Sequence, residues 1–203
     1  MPITICTNSH LRNHQNKHMP HIQLNESLPG IRALLAFSPH TAAPLGALAN
    51  TLLRSDNGLT PAERELIGAY VSSLNDCFYC QHSHAAIASC YLSNNTELVN
   101  QVISNYHTAP VSGKLKALLC IAGKVQQSGR NVLPADIDNA RAAGATEHDI
   151  HDTVLIAALF CLFNRYVDGL ATVAPTDMNS YRQRAKQVAA MGYGSHVYTS
   201  QQP

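Results

Sequence analysis

Residues 65–84 read ELIGAYVSSLNDCFYCQHSH, with Cys77 and Cys80 separated by two residues and His84 four beyond the second cysteine. Leu66, Ile67, Tyr70, Val71 and Leu74 recur at helical spacing, so the stretch begins as a helix with one apolar stripe. Asn75-Asp76 breaks that helix and can cap a second one over 77–91. At about 100° per residue, Cys77, Cys80 and His84 fall within a stripe of roughly 60° on the second helix. Two thiols, an imidazole and the carboxylate of Glu65, twelve residues before Cys77, are the parts of a redox-active thiol site.

The first helix has a strong start. Thr60 can cap it, Pro61 suits its first position, and Glu63 completes a capping box. A second stripe, Ala62, Glu65, Gly68, Ala69 and Ser72, consists of small residues around one carboxylate. Small residues let a neighbouring helix approach, which turns Glu65 toward a partner helix instead of water. An isolated first-turn glutamate is ordinarily solvated, so this placement rests on the stripe around it.

A thiol reacts as thiolate, so what matters is which group stabilises the charge and which takes the proton. Cys77 opens a helix, where unpaired N–H groups and the dipole favour negative charge. Cys80 lies one turn from His84, which can accept its proton, and Glu65 can hold His84 in one tautomer. The two effects favour different cysteines. General-base help is the larger, worth about a hundredfold in rate, and it favours attack by Cys80. Cysteines at i and i+3 can form a disulfide with modest adjustment, which supports a peroxide cycle. One thiolate attacks the O–O bond and becomes a sulfenic acid, the other condenses with it, and a reductant reopens the disulfide. This chemistry calls for no cofactor and no resident metal. Cys-x-x-Cys pairs also occur in zinc sites and thioredoxin-like proteins. No βαβ pattern surrounds this one, and a zinc site would draw Cys77, Cys80 and His84 from one helix, with Glu65 or His82 as the fourth ligand. A merely buried cluster is the plain alternative.

The pattern of Glu65, eleven residues, Cys77-Phe78-Tyr79-Cys80, three residues and His84 resembles the signature of the alkylhydroperoxidase AhpD-like proteins, part of the wider carboxymuconolactone decarboxylase family. The likeness runs from about Leu28 through PLGALANTLLR (44–54) to FNRYVDGL (163–170), and is closest to the peroxidase-related branch, where a tyrosine precedes the second cysteine. It implies an all-α fold assembled into trimers or hexamers, a peroxide substrate, and a dithiol reductant such as a lipoyl or thioredoxin-like protein. It also implies Cys80 as the peroxidatic thiol, Cys77 as the resolving one, and Glu65 and His84 as the proton relay. AhpD proper has a histidine where this chain has Tyr79, and a phenol cannot shuttle protons near neutral pH in the same way. Lactone decarboxylation, the other chemistry of the family, has no use for paired thiols. A non-catalytic redox sensor built on the same pair is the alternative from a different class.

The rest of the chain reads as scaffold. Helical periodicity covers 40–54, 96–106, 113–128, 134–144, 147–170 and 177–190, with a short apolar segment over 31–37. Nothing alternates long enough to be a strand, so the fold class is all-α. Leu45, Leu48, Leu52 and Leu53 share one face of the segment over 40–54, Gly129 is placed to cap the end of 113–128, and 147–170 is apolar on nearly every face and therefore central. His148 and His151 are candidates to approach the site from the long helix, though the reading as ordinary helix-start residues is favoured, and Asn164, Arg165 and Asp168 read as structural hydrogen-bonding groups. The 203 residues divide into a His-rich polar tail over 1–18, one domain over 19–192 and a loose tail over 193–203, with Met19 reading as a second start.

Six cysteines without the spacing of a secreted disulfide scaffold point to a cytoplasmic protein. Cys6 falls in the tail, while Cys90, Cys120 and Cys161 read as core residues, leaving Cys77 and Cys80 as the exposed pair. A net charge of +1 gives no electrostatic attraction to nucleic acid or anionic membrane. No apolar run approaches the about 20 residues that span a bilayer, and His10, Arg12, His14, Lys17 and His18 interrupt any signal-peptide pattern. Charged residues make up only 13%, which leaves surface for other subunits to cover and points to a homo-oligomer.

Overall fold

Thr60 starts the central helix as its sequence requires: its hydroxyl accepts from the Glu63 N–H at 3.3 Å, and the Glu63 carboxylate accepts from the Thr60 N–H at 2.9 Å. That helix is α3 (Pro61–Leu74) in a computed structural model that describes residues 19–193. The others are α1 (Ile31–Phe37), α2 (Pro39–Leu53), α4 (Phe78–Tyr91), α5 (Thr96–Asn105), α6 (Gly113–Gln127), α7 (Pro134–Ala142), α8 (Glu147–Gly169) and α9 (Met178–Met191). Among the described residues there is no strand, so the fold is all-α. The His-rich stretch with Cys6 and residues 194–203 lie outside the described residues.

The core forms where α3 meets α4, α6 and α8. Both stripes of α3 are used. Leu66, Ile67 and Val71 enter the main apolar cluster, while Ala62, Glu65, Gly68, Ala69 and Ser72 are all buried on the second face. At Gly68 the Phe160 ring of α8 packs directly on the α3 backbone: a Cβ there would overlap it. The small-residue stripe thus does what it predicts, and Glu65 faces the interior at 0% exposure.

The 23-residue α8 is long and apolar enough, by length and composition, to cross a bilayer, and 56% of its apolar window is buried inside the fold. Thr146 and Asp149 form a capping box at its start. Its buried polar residue Asn164 donates to the Ser72 hydroxyl at 3.0 Å and accepts from Asn75 at 2.8 Å, while Gln126 of α6 donates to Asn75 at 2.9 Å. This chain of amides pins the turn between α3 and α4, so Asn164 is structural, as expected.

Several local expectations give way to tertiary packing. Asn75 and Asp76 do not cap α4; Cys77 itself occupies the cap position, and Asp76 turns the chain with φ 55°. Gly129 does not cap α6, which ends at Ser128; Gly129 opens a short 3-10 turn. On α2 the buried face is Ala42, Gly46, Ala49, Leu52 and Leu53, and Leu48 points outward because the small residues are the ones that fit against the neighbouring helices. Leu74 is also exposed, at the frayed end of its stripe. The fully buried Arg64 gave no sequence signal. Its guanidinium donates to the carbonyls of Leu59, Leu52 and Asn57 and pairs with Asp152 at 2.8 Å, which closes the loop before α3.

Candidate active site

Cys77 is the cap residue of α4 and Cys80 its third residue, so both sulfurs leave the first turn on the side facing the interior. The turn is held because the Cys77 N–H donates to the Ser72 carbonyl at 3.0 Å and the Gln81 N–H to the Cys77 carbonyl at 2.9 Å. Cys77 is 0% exposed and Cys80 3%. This overturns the expectation of an exposed pair: Cys90, Cys120 and Cys161 are the partly exposed cysteines. The cause is tertiary. α1, the end of α8 and the start of α9 close over the first turn of α4, through Leu34, Val167 and Tyr181.

The two thiols are not equivalent. A side-chain hydrogen bond to Cys80, burial, and the proximity of Cys80 together push the Cys77 thiol far above its ordinary value. Cys77 therefore holds its proton firmly. The sequence argument from the helix dipole favoured thiolate at Cys77. Burial and the neighbouring sulfur outweigh that effect, which is worth about 0.3–1 kcal/mol.

His84, one turn beyond Cys80, reaches back to α3. Its Nδ1 donates to Glu65 Oε2 at 2.6 Å, with the His84 side chain 14% exposed and that of Glu65 1%. A carboxylate only accepts, so the bond fixes the proton on Nδ1 and leaves Nε2 as the basic nitrogen. Phe160 lies edge-on against the imidazole at 4.5 Å between ring centres and restrains its plane. The α3–α4 pair thus joins Glu65 to His84, and His84 shares a cavity lining with Cys80, with Cys77 buried outside that lining.

A cavity of about 40 Å³ opens onto this group. Cys80, His84, Tyr79 and Tyr193 form its polar side, and Ile31, Leu35, Leu45 and Leu53 of α1 and α2 its apolar side. Burial, against the opposing pull of the Arg32 charge, pushes the Tyr79 phenol up to about 12. It therefore stays protonated at neutral pH. Its ring is sandwiched between Gly30, where a Cβ would overlap it, and Tyr181 at 5.9 Å between ring centres. Gly30 can hold φ 57° and approach the ring because it has no side chain.

The other histidines stand apart. His82 Nδ1 is bonded to the Phe78 carbonyl at 2.8 Å, with its ring tilted against Phe78, and it does not line the cavity. His148 and His151 are exposed, and His151 bonds Asp152 at 2.9 Å, as befits helix-start residues. Among the described residues no three His, Cys, Asp or Glu side chains gather as a metal site. The residue that sequence reasoning missed is Tyr193, at the point where a loose tail is expected. Its hydroxyl donates to Glu65 Oε1 at 2.7 Å. The available signal was Gly192, a helix-stop glycine followed by an aromatic, the pattern of a helix end that packs its next residue inward.

Comparison with known proteins agrees with this architecture. The carboxymuconolactone decarboxylase family profile matches residues 39–90, a span that includes Glu65, Cys77, Cys80 and His84. A peroxidase-related protein of Ralstonia eutropha, described as an alkylhydroperoxidase AhpD core, is 31% identical over 76% of this chain and 81% of its own, with a TM-score of 0.69. An uncharacterized peroxidase-related protein of Silicibacter sp. is 28% identical over 76% and 78%, with a TM-score of 0.68. A protein of unknown function from Agrobacterium tumefaciens shares the fold at 19% identity over 71% and 97%, with a TM-score of 0.60. No functionally curated protein matches the sequence. The chain belongs to the carboxymuconolactone decarboxylase family and has the AhpD-like fold.

Proposed function

We propose that this protein is a thiol-dependent hydroperoxide reductase of antioxidant defence. The observation that carries the reading is the asymmetry of the cysteine pair: Cys80 lines the cavity beside His84, while Cys77 sits fully buried and forms no part of the cavity lining. In the cycle, His84 Nε2 takes the Cys80 proton, and the thiolate attacks the distal O–O oxygen. The O–O bond breaks, Cys80 becomes a sulfenic acid, and the leaving alkoxide takes the proton from His84. Glu65 holds the tautomer and balances the imidazolium charge. Cys77 then attacks the Cys80 sulfur, water leaves, and the disulfide forms. A dithiol, lipoyl or thioredoxin-like, supplies two electrons to reopen it. No cofactor or metal enters any step.

Lactone decarboxylation has no role for the paired thiols, and a sensor would use them once per oxidation event. A cytoplasmic setting, which keeps free thiols reduced, suits the cycle. The exposed Leu155 and Leu162 on one face of α8 support assembly as a homo-oligomer, a trimer or a hexamer. The test is peroxide consumption by the pure protein with small dithiols, dihydrolipoyl groups and thioredoxin offered in parallel. Many equivalents per chain are expected with at least one of them. Consumption of about one equivalent with all of them would leave a redox sensor.

A further inference from the structure

The Glu65 carboxylate is fully buried and has two oxygens, yet the His84 contact uses only Oε2. The other, Oε1, accepts from the Tyr193 hydroxyl at 2.7 Å. That hydroxyl is also 3.3 Å from His84 Nδ1, and the two rings stack at 6.1 Å with 21° between their planes. Phenol, carboxylate and imidazole therefore form a closed triangle at the edge of the cavity that Cys80 lines.

The placement of Tyr193 is built. It follows α9, which ends at Gly192 with φ 80°, and a Cβ at Gly192 would overlap the side-chain oxygen of Asn50. That same oxygen accepts from the Tyr193 N–H at 3.0 Å. Arg54, one turn further along α2, donates to the carbonyls of Val188 and Ala189 at 2.9 and 3.0 Å and to the Tyr91 hydroxyl at 2.7 Å. The end of α2 thus clamps the end of α9 and turns the next residue inward. A phenol that merely filled space would need neither the left-handed glycine nor the amide on its own N–H.

We propose that Tyr193 is a positioning residue of the proton relay, one that acts on His84 through Glu65. This rests on the reading of Glu65 and His84 as the relay. A carboxylate held at both oxygens cannot rotate away from the imidazole, so Nε2 stays aimed at the cavity. With one donor lost, the carboxylate is free to turn and the imidazole loses its fixed plane. Residues that orient a reacting group from behind typically contribute about 10-fold to 100-fold to activity.

The test uses the full chain as wild type, Tyr193→Phe, Tyr193→Ala and Asn50→Ala, with Tyr106→Phe as a control away from the site. Two readouts are independent of peroxide turnover: the rate at which Cys80 alone is alkylated by a small reagent, and the NMR resonance of the His84 Nδ1 proton. Tyr193→Phe keeps the ring and is expected to fold as wild type, to slow Cys80 alkylation about 10-fold or more, and to move the His84 resonance. Asn50→Ala, which leaves the phenol intact but frees its backbone, is expected to do the same in part. Wild-type values in Tyr193→Phe would overturn the proposal. So would a loss confined to Tyr193→Ala, which would reduce the role to packing. If wild type fails to turn over peroxide while Tyr193→Phe still shifts both readouts, the proposed reaction is wrong and the role of Tyr193 stands.

Discussion

Glu65 on α3 and His84 on α4 meet at 2.6 Å, in a hydrogen bond that neither helix could present to water without losing most of its worth. Both groups are held from behind, Glu65 by Tyr193 and His84 by the edge of Phe160. Glu65→Gln and His84→Gln should therefore slow peroxide attack on Cys80 by about a hundredfold or more. The Cys77–Cys80 disulfide should still form slowly in both. Stopped-flow oxidation of the reduced proteins checks this, and wild-type rates in either variant would remove the pair from the relay.

The burial of Cys77 and Cys80 changes what reagents should see. A bulky alkylating agent should label the partly exposed Cys90, Cys120 and Cys161 first. Peroxide, small enough for the cavity, should oxidise Cys80 first and link it to Cys77, and mass mapping of the two reactions should give opposite orders. Cys77→Ser should leave a sulfenic acid on Cys80 that dimedone traps, with one turnover and no cycle. Cys80→Ser should leave Cys77 unreactive, since it stays fully buried and lies outside the cavity lining that peroxide reaches. Sulfenic acid on Cys77 at the wild-type rate would reverse the roles.

Gly68 of α3 lies directly under the Phe160 ring of α8. Gly68→Ala should force the Phe160 ring aside and destabilise the fold by about 1–3 kcal/mol. Because Phe160 also restrains His84, the variant should lose peroxide reactivity along with stability. Urea denaturation and Cys80 oxidation rates measure the two effects separately.

Asp149 predicts a pH dependence at the start of α8. Burial raises its value, but the backbone and side-chain hydrogen bonds from Thr146 and the Lys114 ammonium outweigh this and hold it below the ordinary 3.8. A depressed folded value means that its contribution is present at neutral pH and is lost as pH falls through that value. Asp149→Asn should cost on the order of 1 kcal/mol at neutral pH. The gap to wild type should close in melts recorded at successively lower pH, as the Asp149 carboxyl takes up its proton below the ordinary carboxylate range.

Leu155 and Leu162 lie seven positions apart on α8, two turns along one face, and are 36% and 47% exposed. Light scattering at micromolar concentration should give the mass of a trimer or hexamer. Leu162→Glu should lower that mass without unfolding the protomer, since the side chain makes no part of the core. A monomeric wild type would count against the assembly.

Much of this protein follows from interactions between residues three and four apart, and these are legible in the chain. The capping boxes at Thr60 and Thr146, the two stripes of α3 and the shared face of Cys77, Cys80 and His84 are of that kind. The inward turn of Glu65 was legible too, because small residues on one helix face imply a close neighbour. What only the tertiary structure decided is which groups water reaches and which distant side chains meet. Cys77 and Cys80 look like the exposed pair in sequence, yet α1, α8 and α9 close over them. Tyr193 reaches Glu65 across 128 positions, and no local pattern encodes a contact that the clamp between α2 and α9 creates. The physical reason is the same in each case. Helix formation is specified by neighbours along the chain, whereas burial, and with it the hold on the Cys77 proton, depends on the sum of surfaces that only the packed fold brings together.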